Sequence, residues 1–172
     1  MSFDFHPIVV HFPIALLFLY SIIRILPLER FASKINWKQI RQAFLVFGFL
    51  GATVSLMTGE IAESLSRPNH QLVEMHSTFA ALATWLYGVL LGGEFLPLIN
   101  PIIATKISAL KFVLPVTLVL EKILINKWVT GILAIVALVA IFVTGLLGGV
   151  MVYGTSADPL APLVLKILGI NF

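Results

Sequence analysis

The sequence predicts an all-α fold: an integral membrane four-helix bundle with an extra interfacial or re-entrant segment between its third and fourth spans. Three observations predict it. Of 172 residues, 59% are apolar and only 11% charged, whereas a soluble domain of this length must present a polar outside to water. The apolar residues fall into runs of bilayer length separated by polar connectors. Inside those runs small residues recur at every fourth position, the spacing that lets helix backbones approach closely in lipid. The whole chain, 1–172, reads as a single membrane domain.

The first span covers about 7–28, roughly the 20 apolar residues a bilayer needs. Pro7 suits a first turn. Pro13 removes a backbone bond to Val9, so the helix either kinks there or begins properly near His11. A basic connector follows with Glu29, Arg30, Lys34, Lys38 and Arg41. The second span covers about 43–65, with Gly51, Ser55 and Gly59 four apart. Ser66-Arg67-Pro68-Asn69 breaks it, and Asn69 is placed to cap the next helix.

The third span covers about 71–98 and carries the stripe Ala80, Thr84, Gly88 and Gly92, flanked by Trp85 and Tyr87. Pro97 and Asn100-Pro101 are expected to end it. The stretch 102–126 is apolar but interrupted by Lys106, Lys111, Pro115, Glu121 and Lys122. It reads as the interfacial or re-entrant segment, with a fifth span as the alternative. The last span covers about 128–153, with Gly145 and Gly149 four apart, and the tail 154–172 is expected on the membrane surface.

Charge position fixes the topology. Four spans gather Arg24, Arg30, Lys34, Lys38, Arg41, Lys106, Lys111, Lys122 and Lys127 on one side and leave Arg67 and Lys166 on the other. The positive-inside rule then puts both termini outside the cytoplasm, in a multi-pass protein of a bacterial cytoplasmic (inner) membrane. A fifth span would split the lysines and weaken that bias. The first basic residue, Arg24, follows the first apolar run, so no cleaved signal peptide is expected. The net charge of +3 is topological, and nucleic acid is not an expected partner.

On this topology all four histidines gather at the outer end of the bundle. His6 and His11 open span one, Glu60 and Glu63 close span two, His70 lies in the outer connector, and His76 sits in the first turns of span three. Imidazoles and carboxylates are costly in hydrocarbon, so a cluster of them marks a candidate site. His76 precedes Ala80 by one turn and is expected to face the interior above small residues. His6 and His11 are five apart and point in different directions on an ideal helix. His11 is the deeper and the preferred ligand; His6 is a supporting group. Glu63 continues the Gly51, Ser55, Gly59 stripe and is expected to point inward, there to bind metal, orient an imidazole or relay a proton. Glu60 and His70 read as solvated, Glu94 as an interfacial partner of a lysine, and Trp128 and Tyr153 as interfacial aromatics at the two ends of the last span.

The run His6-Pro7-x-x-Val10-His11-Phe12-Pro13-Ile14-Ala15-Leu16, then Gly59-Glu60-x-Ala62-Glu63, His76, and Gly148-Gly149-x-x-Val152-Tyr153 together resemble the bacterial membrane family called domain of unknown function 2231. The resemblance spans all four helices. It implies the fold and the site, and no settled activity. Two departures stand out: the family often has an acidic residue where this chain has Ser77, and a histidine after the Gly-Gly-x-x-Val-Tyr run, where this chain has Gly154-Thr155.

The leading functional expectation is a b-type haem held between His11 and His76, with His6 and Glu63 in support, serving electron transfer with a quinol or a redox protein. The alternative is a non-haem Zn, Fe or Mn site built from His6, His11, Glu60, Glu63 and His76. A third reading is a structural or accessory subunit of a larger membrane complex, with homo-oligomers formed through the small-residue stripes. No nucleophile–base arrangement supports hydrolysis, and no catalytic residue is assigned. The absence of cysteine excludes iron–sulfur clusters, thiolate metal sites and covalent c-type haem.

Overall fold

The apolar runs each fold as one long helix. The computed structural model describes residues 5–66 and 69–170; Arg67 and Pro68, expected to break the second span, lie outside the described residues. The helices are α1 His6–Ile25, α2 Trp37–Ser66, α3 His70–Lys106, α4 Leu114–Leu124, α5 Lys127–Tyr153 and α6 Ala161–Ile167. Four of them, α1, α2, α3 and α5, are long and apolar enough to cross a membrane. They form a ring in which α1 packs on α2 and α5, and α3 packs on α2 and α5. Contacts between opposite helix ends show that neighbours run antiparallel: His6 of α1 meets Thr58 of α2, and Arg41 of α2 meets Glu94 of α3.

Local chemistry sets the helix ends. The Asn69 side chain accepts from the Gln71 and Leu72 amides at 2.9 and 3.4 Å, as its sequence position predicts. Asn126 does the same for Trp128 and Val129 at 2.9 and 3.5 Å. Gly154 ends α5 at φ 75°, a left-handed conformation that glycine adopts without steric cost.

One expectation about proline is narrowed and one corrected: α1 begins at His6 and not near His11, and the prolines of α3 do not end it. Helix α1 starts at His6 and runs through Pro13, whose ring lies against Gly51, where an added Cβ would sit 3.1 Å away. Helix α3 continues through both Pro97 and Pro101 to Lys106. A proline removes one backbone bond, and here tertiary contacts compensate. Leu124 of α4 packs on Gly93, buried Asn100 donates to Glu121 Oε2 at 2.6 Å, and Ile103 is buried. The 102–126 stretch therefore resolves into the end of α3, a 3-10 turn over Ser108–Val113 and the 11-residue α4 packed against α3. Eleven residues reach about 16 Å, too short to span hydrocarbon.

The central core holds Leu17, Tyr20, Leu45, Ala83, Tyr87 and Leu90 with Ala134, Ala137 and Ala140 of α5. The Tyr87 hydroxyl shares a hydrogen bond with Ser21 at 2.8 Å and donates to the Leu17 carbonyl at 3.3 Å. Tyr20 packs edge-on to Tyr87 with ring centroids 6.1 Å apart. The α2 glycines are the side on which α1 lies: a Cβ at Gly48 would stand 2.7 Å from Leu17 Cδ2. By contrast the α5 stripe is displaced from its expected place, because Gly145 is exposed with open space around it and the buried small residues are the alanines. The tail is more than a surface strand of chain: α6 buries Ala161 and Leu165 with Leu72, Leu146, Leu147 and Val150.

Gly48→Ala and Gly92→Ala make a matched pair, since nothing lies within 4 Å of a Cβ at Gly92. Gly48→Ala is expected to destabilise the protein by about 1–3 kcal/mol through overpacking against buried Leu17, and Gly92→Ala to be neutral. Thermal unfolding in detergent checks both.

Candidate functional site

The antiparallel ring brings the start of α1, the end of α2, the start of α3 and the end of α5 to one end of the bundle, so the histidines do share an end. Their environments differ. His6 is half-buried, and its Nδ1 lies 2.9 Å from Thr58 Oγ1. The Thr58 hydroxyl also lies 3.1 Å from the Ser55 carbonyl, and when it donates there it accepts from His6 Nδ1–H. His76 is also half-buried, and its Nδ1 lies 2.9 Å from the Thr144 carbonyl oxygen. A carbonyl only accepts, which fixes His76 as the Nδ1–H tautomer. A neutral imidazole protonated at Nδ1 carries its lone pair on Nε2.

Glycines hold both rings. A Cβ at Gly59 would come within 3.4 Å of His6 Cε1, and one at Gly148 within 3.3 Å of His76 Cε1. Each ring edge therefore rests on bare backbone of the facing helix. His6 on α1 and His76 on α3 stand at this same end of the bundle, each bonded to the helix it faces.

The other predicted residues stand apart from this pair. His11 is exposed, and its Nδ1 donates to the Pro7 carbonyl one turn back on its own helix. Five residues separate it from His6, about 140° around the helix, so when His6 faces α2 His11 cannot. Glu63 is exposed where the stripe predicts an inward side chain, and Ala62 is buried instead. Each four-residue step turns about 40° beyond a full revolution, so from Gly51 to Glu63 the stripe has drifted about 120°. Glu60 and His70 are exposed, with His70 Nδ1 4.0 Å from Glu74. Among the described residues no group of three or more His, Asp or Glu is arranged to hold a metal ion.

Sequence reasoning missed Thr58, the Thr144 carbonyl and Gly148. Thr58 directly precedes the Gly59-Glu60 motif, which is a usable signal. A backbone carbonyl has no signature, since every residue carries one.

The opposite end differs from expectation in one partner. Glu94 pairs with Arg41 and not with a lysine: Arg41 Nε and Nη2 donate to its two oxygens at 2.5 and 3.2 Å. The planar guanidinium fork fits a carboxylate in a way an ammonium does not. Arg24 donates to Thr130, and Trp128 and Tyr153 are exposed at the two ends of α5.

These features define a helical bundle with four candidate membrane spans and two histidines at one end, each hydrogen-bonded to a facing helix. The sequence model of the family described as predicted membrane protein (DUF2231) matches residues 3–158, and the chain belongs to that family. No curated protein and no solved structure matches it.

The tautomers are directly testable. In nitrogen-15 spectra of histidine-labelled protein at neutral pH, His6 and His76 are expected as Nδ1–H forms. Thr58→Val removes the acceptor and is expected to alter the His6 signals while leaving those of His76 in place.

Proposed function

We propose that this protein holds a b-type haem between His6 and His76 and serves membrane electron transfer. The observation that carries the reading is the bond from His76 Nδ1–H to the Thr144 carbonyl. Such a bond orients an imidazole, makes it more basic and aims the Nε2 lone pair at a ligand. His6, donating to Thr58 from Nδ1, supplies a second imidazole of the same tautomer from another helix. Two imidazoles are a donor set that b-type haem takes, and His6 and His76 would hold it. The donor set fits, and the bare backbone at Gly59 and Gly148 seats the two rings themselves. The haem when bound supplies one-electron chemistry. The chain's own residues orient the rings, fix their tautomers and exclude lipid.

In this reading His6 replaces His11 as the partner of His76. The basic connectors support an inner bacterial membrane with both termini outside the cytoplasm, which places the pair where a quinol or an extracytoplasmic redox protein can reach it.

The non-haem alternative draws its support from the same two imidazoles together with Glu60 and Glu63 at the same end. An absorption spectrum of protein purified from haem-supplemented cells separates the two. A Soret band is expected, lost in His76→Ala and His6→Ala and kept in His11→Ala. A colourless protein with stoichiometric zinc, iron or manganese by elemental analysis, lost in His76→Ala, selects the alternative. A colourless, metal-free protein that gains no Soret band on haemin titration overturns both.

A further inference from the structure

The chain beyond α5 folds back on the bundle. Gly154 turns it at φ 75°, and the short helix α6 then packs against α5. Its Ala161 and Leu165 share a buried cluster with Leu72 of α3 and with Leu146, Leu147 and Val150 of α5. The Gln71 side chain donates to the Gly169 carbonyl at 3.3 Å, which ties the far end of this segment to the start of α3. The α5 members of the cluster lie between three (Val150) and seven (Leu146) residues before Tyr153, about 5–10 Å along the helix axis. Helix α6 therefore stands against the flank of the bundle, at the level of Thr144 and Gly148 where His76 is held. A short helix buried on one side ordinarily turns polar residues outward. Here Leu160, Leu163 and Ile167 are 47, 56 and 73% exposed, and their spacing of three and four residues sets them on one face, away from Ala161 and Leu165.

We propose that α6 is an interfacial helix whose outer face, Leu160, Leu163 and Ile167, is seated in lipid at the boundary between headgroups and acyl chains. Helices of this kind insert an apolar face about 5–10 Å into that boundary. The α6 cluster reaches the same depth below Tyr153, whose exposed ring ends α5 and is of the type that marks the headgroup level. Lys166 is exposed beside the apolar face, from which its long stem carries the ammonium to the headgroups. Size argues against a second protein on this face. A stable interface takes about 800 Å² from each partner, and even large aromatic side chains bury only about 150–250 Å² each, so three partly exposed aliphatic ones fall short. Lipid is the occupant that the four candidate spans already bring to this flank. The placement fixes the height of the bundle: the bond from His76 to Thr144 lies at the interface and not at the hydrocarbon centre, whatever the histidines bind.

The chain has no cysteine, so single cysteines carry nitroxide labels specifically in the full chain, reconstituted in phosphatidylcholine vesicles. Leu163→Cys and Ile167→Cys are the test positions. Lys34→Cys, exposed in the polar connector, is the aqueous reference, and Val139→Cys, exposed midway along α5, is the hydrocarbon reference. Collisional relaxation by oxygen and by a neutral nickel chelate is measured at each. At both test positions the oxygen-to-nickel ratio is expected several-fold above that of Lys34→Cys and below that of Val139→Cys. A ratio equal to that of Lys34→Cys puts the face in water and overturns the inference. Labels shielded from both reagents reveal a protein contact and overturn it too, as does a ratio equal to that of Val139→Cys, which puts α6 at the bilayer centre.

Discussion

The bundle depends on the near contact of α1 with the backbone of α2. Gly48 receives Leu17, Gly51 receives the Pro13 ring, and Gly59 receives His6. Lipid tails are as apolar as leucine, so helices in a bilayer gain little from burying apolar surface against each other. They associate through dispersion contacts and hydrogen bonds that need close approach. Three glycines along one side of α2 provide that approach over most of the length of α1. The same contact tolerates a proline within α1 and sets the height and direction of His6. Fold and site thus share one cause.

Polar groups in this protein follow a second constraint. Inside hydrocarbon each needs an internal partner. The half-buried histidines are bonded to Thr58 and Thr144, Ser21 to Tyr87, and Glu94 to Arg41. Each of these four bonds joins two different helices, so the few polar residues also lock the order in which the helices stand. His11, Glu60 and Glu63 are exposed, and His11 still bonds to the Pro7 carbonyl of its own helix.

Span number, antiparallel order and the gathering of histidines at one end were legible because they depend on apolar run length and on counting turns. The Asn69 cap was legible from local chemistry alone. What was not legible depended on rotation and tertiary support. A stripe of small residues four apart drifts around the helix, so Glu63 left the face that Gly51 shares. His11 is deeper along α1 than His6, yet depth says nothing of direction, and His6 is the one facing α2. Pro97 and Pro101 read as a stop because the sequence does not reveal that α4 folds back and holds the far part of α3. Arg41 was one of several cations near Glu94, and only packing selects among them.

The buried layer around the two tyrosines separates the two polar ends of the bundle. Leu17, Tyr20, Leu45, Tyr87 and Leu90 are each at most 1% exposed and pack as one core. Side chains packed this closely leave little slack, so a change at the imidazole end is carried toward the Arg41–Glu94 end as a shift of whole helices.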